Sequence, residues 1–139
     1  MASFNKFNSF VEALAEKVHN LGSDTLKIML TNSAPVATNT VKADLTEISA
    51  GNGYSAGGTA VTITSSAQSS GTYKLVGNDV VFTASGGSIG AFRYAVLYND
   101  TATNDELIGW WDYGSSITLL TGETFTVDLD ATNGILQLV

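Results

Sequence analysis

The sequence predicts a mainly β protein: a two-sheet, jelly-roll-like β-sandwich of about eight strands with one N-terminal α-helix. Three observations lead there. Apolar spacing near the N-terminus follows the helical period as far as Gly22 and then changes to alternation. Short alternating runs recur down the rest of the chain, many ending in Gly, Asn, Asp or Ser. The chain has 139 residues and is 44% apolar, which suits one domain with one core. The expected division is a helical segment over 1–22 and a sandwich over 23–139.

Phe4, Phe7, Val11, Leu14, Val18 and Leu21 are three or four residues apart, so on a helix they form one stripe. Ser9 and Glu12 match a capping box, which starts the regular helix near Phe10 and leaves Phe4 and Phe7 on a lead-in or extra turn. Gly22 is placed to end it. The stripe either closes the end of this chain's own core or, at Phe4 and Phe7, reaches a neighbouring subunit.

Beyond Gly22, Leu26, Ile28 and Leu30 oppose Lys27 and Met29, and Val61 and Ile63 alternate with threonines. Tyr73 and Leu75 flank Lys74, while Val80 and Phe82 flank Val81. Phe92, Tyr94, Val96 and Tyr98 share a face opposite Arg93, Ala95 and Leu97; Leu107, Gly109 and Trp111 oppose Ile108 and Trp110. Phe125, Val127 and Leu129 oppose Thr126, Asp128 and Asp130. A longer irregular stretch from about Asn32 to Gly58 holds the only proline, Pro35, and reads as a connection between sheets.

Charged residues make up 14% of the chain and the formal net charge is -7. A surface that poor in charge suits a protein covered by neighbours. The basic residues Lys6, Lys17, Lys27, Lys42, Lys74 and Arg93 are scattered, so neither nucleic acid nor an anionic membrane is an expected partner. Cysteine is absent, which removes thiolate catalysis and disulfides. No apolar run approaches the roughly 18 residues of a membrane span. The N-terminal segment lacks the pattern of a secretion signal, so a soluble product is expected.

Chemistry has few footholds. His19 is the single histidine, beside Val18 near the expected helix end, and reads as structural or solvated. Asp128 with Asp130, and Glu106 with Asp112, are the carboxylate pairs a glycosidase would need, but they sit in the pattern of a solvated strand face. The oxygen-rich run Asn99 to Glu106 lacks EF-hand spacing and is explained by a hairpin connection. No catalytic residue, metal or cofactor is therefore expected. Trp110 and Trp111 must point to opposite faces, one into the core and one available to a protein or a sugar.

Three stretches, KADLTEISAGNGYSAGG, AFRYAVLYND and LIGWWDYGSSITLLTGETFTVDLDATNGILQL, resemble tailed-bacteriophage virion proteins, most closely the jelly-roll cement, or decoration, proteins of phage heads. Some proteins with these motifs are assigned as minor structural or tail proteins. The resemblance implies a non-enzymatic protein, made in the host cytoplasm, that sits on the outer capsid surface. It would bridge major capsid protein subunits against the pressure of packaged DNA. Self-association is also implied, with a homodimer favoured and a trimer the other option. The interface candidates are Phe4, Phe7, Arg93, Trp110 and Tyr113. The competing expectation is a carbohydrate-binding β-sandwich of a tail or receptor-binding apparatus, recognised by Tyr113 and the second tryptophan lying together on one concave face.

Overall fold

A computed structural model describes residues 2–139. It is mainly β, with one α-helix and several antiparallel sheets. The strands are β1 (Phe4–Lys6), β2 (Leu26–Thr31), β3 (Thr59–Ala60), β4 (Ile63–Ser69), β5 (Thr72–Gly77), β6 (Val80–Thr83), β7 (Ile89–Asn99), β8 (Leu107–Leu119), β9 (Thr124–Val127) and β10 (Leu136–Leu138). A five-stranded sheet has the order β1-β8-β7-β2-β3, a three-stranded sheet the order β10-β5-β4, and β6 pairs with β9.

One hydrophobic cluster joins all three sheets. Leu26, Ile28, Leu30, Ala95, Leu97, Ile108 and Trp111 come from the five-stranded sheet, Leu75 from the three-stranded one, and Val80, Phe82 and Val127 from the pair. A second cluster, with Phe7, Met29, Leu45, Val96, Tyr98 and Leu107, lies on the opposite face of the large sheet. Both faces of that sheet are thus covered. This explains why Met29 is as buried as its neighbours Ile28 and Leu30, against a simple in-out alternation.

The helical expectation needs correcting. The helix α1 runs only over Ser9–Ala15, and Phe4 belongs to β1. Asn8 occupies the N-cap without a side-chain cap bond, so the Ser9–Glu12 capping box does not form. The chain leaves the helix through Lys17, whose φ of 70° is left-handed. Gly22 therefore does not terminate it. Phe10 supplies the buried contact, whereas Val11 and Val18 are exposed.

Two irregularities in β8 alter the expected faces. Leu97 pairs with Gly109 but Tyr98 pairs with Leu107, so Ile108 is an extra residue and side-chain direction inverts across it. Leu107 and Trp110 consequently face the second cluster, and Ile108 and Trp111 the first. Phe92 pairs with Ile117 while Tyr94 pairs with Asp112, which leaves Tyr113 to Ser116 bulging out. Phe92 thus joins the first cluster with Ala95 and Leu97, not the face of Val96 and Tyr98. The expected alternation in β6 is borne out, with Val80 and Phe82 buried and Val81 exposed.

Candidate functional site

The interface candidates fall on or beside β1, β7 and β8. β1 adds to the edge of β8, with Phe4 opposite Trp111 and Lys6 opposite Gly109. Gly109 is required there: a Cβ on it would lie 2.3 Å from two carbons of the Phe4 ring. The Phe4 ring meets Trp111 edge-on at 5.3 Å and packs at the border of the first cluster. Phe7 goes the other way. It is fully buried against Trp110, 4.6 Å between ring centres, so its side chain is filled by its own chain and offers nothing to a neighbour. Trp110 is half-buried over it and Trp111 is core.

Arg93 grips Asp112 with two hydrogen bonds, Nε to Oδ1 at 2.8 Å and Nη2 to Oδ2 at 3.1 Å. Its guanidinium also lies 5.4 Å from the Tyr94 ring centre. Asp112 Oδ1 accepts the Gly114 N–H as well, which closes the turn of the Tyr113–Ser116 bulge. These bonds hold the Asp112 carboxyl below the usual carboxylate range, the Arg93 contact contributing most. Tyr113 turns its ring edge-on to Phe125 at 4.7 Å, and burial, with Asp128 nearby, pushes its hydroxyl up to about 12.

Asp112, Tyr113, Gly114, Thr126, Asp128 and Ala2 line a hollow of about 580 Å³. It contains one aromatic ring. Trp110 sits with the cluster on the other face of the sheet, so the two aromatics a sugar platform would combine are separated. Asp112, which lines the hollow, and Asp130, beyond it, are poorly suited as general acids. Asp112 is held low by Arg93, and Asp130 by the N–H groups and side chain of its own turn, chiefly Asn133. A glycosidase acid needs the opposite shift.

The loop from Asn99 to Glu106 is the β7–β8 hairpin connection. Asn99 Oδ1 accepts the Thr101 and Ala102 N–H groups, and Glu106 accepts from Asn104, so these oxygens serve the loop's own chain. Among the described residues no cluster of three or more Asp, Glu, His or Cys is arranged to hold a metal. Asn99 Nδ2 faces Asp24 at 2.7 Å and His19 Nδ1 at 2.9 Å. Since the Asn99 oxygen is already committed to two backbone donors, His19 Nδ1 is an acceptor and the ring proton belongs on Nε2. Burial lowers the His19 pKa, partly opposed by Glu106 and Asp24.

A site that sequence reasoning missed is the fastening of the long irregular connection. Glu47 Oε2 accepts the Tyr54 hydroxyl and the Gly57 N–H, both at 2.6 Å, and Lys42 Nζ lies 3.4 Å from Oε1. Tyr98 donates its hydroxyl to the Gly57 carbonyl. One carboxylate and one strand tyrosine therefore anchor a connection that has little regular structure. Local sequence carries no signal for this, because Glu47 is seven residues from Tyr54 and Tyr98 arrives from β7.

No family model matches the chain, and neither a curated protein nor a solved structure matches it.

Proposed function

We propose that the chain is a capsid cement protein of a tailed phage, docking on the outer head surface between major capsid subunits and resisting DNA pressure without catalysing a reaction. In this reading the small sheets form the second layer of a jelly-roll-like sandwich, supported by the cluster that joins all three sheets. The observation that carries the function is the Glu47 fastening. It turns the irregular connection into a preformed surface, and a preformed surface loses less entropy on docking. The stretch from Ile48 to Tyr73, which continues from the end of the connection through β4, bears no charged side chain, so a partner need not strip ions from water to cover it.

The resemblance of the AFRYAVLYND and LIGWWDYGSS stretches to phage virion proteins supplies the particle. The basic side chains agree with a protein partner and not nucleic acid. Lys27, Lys42 and Arg93 are each paired with a carboxylate, and Lys74 reaches the Thr132 carbonyl. Arg93, Trp110 and Tyr113 remain candidate contacts, joined by Phe4 at the β1 edge. The second reading, a sugar-binding module of the tail, rests on the hollow beside Tyr113 alone, with Asp112 and Asp128 as polar partners of the ring, because Trp110 lies on the other face of the sheet.

The test is to strip the protein from heads of its phage, add it back, and compare heat-induced DNA release. Complete particles should hold their DNA to higher temperature. Equal release with and without the protein removes the cementing role. Binding of oligosaccharide, abolished by Tyr113→Ala, would select the tail reading instead.

A further inference from the structure

We propose that two copies of this chain pair through β4, edge to edge and antiparallel, to make one continuous sheet across a two-fold axis. β4 is the last strand of its sheet, bonded on one side to β5, and most of it is exposed. The strand pairs Ser69 with Thr72 across a two-residue turn at Ser70 and Gly71, both with positive φ. In such a hairpin the closing pair is hydrogen-bonded, and bonded pairs recur at every second residue. Ser69, Ala67 and Ser65 therefore bond to β5, while the backbone N–H and C=O groups of Ser66 and Gln68 point away from it.

Outward backbone groups exist on every sheet edge, and edges normally carry guards: a lysine, a proline, an inward charge or a bulge. β4 has no charged residue and no proline. Its one register shift lies between Ile63 and Ser65, before the regular part begins. The other terminal strands of the larger sheets, β1, β3 and β10, have two or three residues each, against seven in β4.

The partner's identity follows from charge and symmetry. With a net charge of -7, a second copy is repelled by most approaches. The charge-free stretch containing β4 is where two copies meet at least electrostatic cost. A strand laid antiparallel to its own copy is symmetric, and every register that sets Ser66 or Gln68 opposite one of the same two residues keeps like faces together, so the pairing is self-complementary and closes after two chains. The pairing is independent of which surface the protein decorates.

The experiment combines sedimentation of the whole protein over a range of concentrations with amide hydrogen exchange. The expected result is a monomer–dimer equilibrium in which the Ser66 and Gln68 amides become protected as dimer forms. Gln68→Pro removes an outward donor and no backbone bond to β5, although it also removes the Gln68 Oε1 acceptor of the Gly71 N–H in the turn; proline is tolerated at such edge positions. Acting once per copy, it should weaken dimerisation by roughly tenfold or more, as expected for two lost hydrogen bonds. Exchange on the unmodified protein keeps the proposal testable even if that variant folds poorly. A monomer at every concentration overturns it, as does a dimer whose Ser66 and Gln68 amides exchange freely or one that Gln68→Pro leaves intact.

Discussion

The Tyr54 hydroxyl donates to Glu47 Oε2 at 2.6 Å and accepts the Leu30 N–H at 3.0 Å, tying the long connection to a central strand through one buried oxygen. Burial, reinforced by the bond to Glu47, raises the tyrosine's pKa, so it remains a donor throughout the ordinary pH range.

Removing that oxygen strands groups on both sides. Tyr54→Phe keeps the ring in the core but leaves the buried Leu30 N–H without its partner, a loss of about 1–3 kcal/mol. Denaturant unfolding should show a lower midpoint, and the Gly57 amide should exchange faster. An unchanged midpoint with unchanged Gly57 protection would mean that the connection is held by other contacts.

The short helix makes a contrast available within two neighbouring residues. Phe10 is 2% exposed and Val11 49%. Phe10→Ala should cost about 3–5 kcal/mol, the range for a buried phenylalanine, and Val11→Ala should stay within about 0.5 kcal/mol. Val18, at 38% exposure, should likewise tolerate Asp far better than the helical stripe implies. Equal losses at Phe10 and Val11 in thermal unfolding would contradict this orientation.

That contrast shows where sequence was legible and where it was not. Strand β6 was readable because its apolar residues bury in the period of the backbone, whereas β2 is covered on both faces and hides that period. The pair Phe4 and Phe7 was misleading because three-residue spacing has two meanings. On a helix it aligns side chains, but on an extended chain it sends them to opposite faces, as Phe4 and Phe7 go to opposite sides of β8. Nothing local announces that Lys17 adopts positive φ, since lysine gains nothing from it. The inversion at Ile108 is equally silent, because a bulge is defined by the partner strand. Trp111 as core and Trp110 as the partly exposed ring were separable only after that inversion was known. Of the candidate site, the opposed tryptophans were legible, but the Arg93–Asp112 clasp needed the pairing of β7 with β8.

His19 should give the protein a pH-dependent stability. Its folded pKa is lowered, so as pH falls the unfolded chain takes up a proton before the native one does. The contribution is therefore complete above the ordinary histidine value of about 6.5, is lost as pH falls through that value, and levels off below the lowered folded pKa. Urea midpoints measured from pH 8 down to about 5 stay above the range where Asp44, Asp112 and Asp130 begin to titrate, and Asp105, raised by burial, is common to both proteins compared. The stability difference between wild type and His19→Gln should narrow as pH falls through this window. A constant offset between the two curves would show that the imidazole does not titrate differently in the two states.

Gly109 and Phe4 give the sharpest test of how β1 is held. A methyl at 109 would meet the Phe4 ring at 2.3 Å and the Asn5 carbonyl at 2.7 Å. The ring can swing aside, but the carbonyl is backbone, so β1 itself must shift. Gly109→Ala should therefore cost about 1–3 kcal/mol, the range for overpacking, and red-shift tryptophan emission as Phe4 leaves Trp111. Phe4→Ala removes the edge-on ring while leaving β2, β7 and the principal cluster in place, so the protein should still unfold cooperatively. The two changes share one contact and should not add. In the Phe4→Ala background the penalty of Gly109→Ala should shrink, leaving only the part due to Asn5. Unfolding of the four proteins in one cycle measures this directly. An equal penalty in both backgrounds would assign the whole cost to the Asn5 carbonyl and remove the Phe4 ring as the reason that position 109 is glycine.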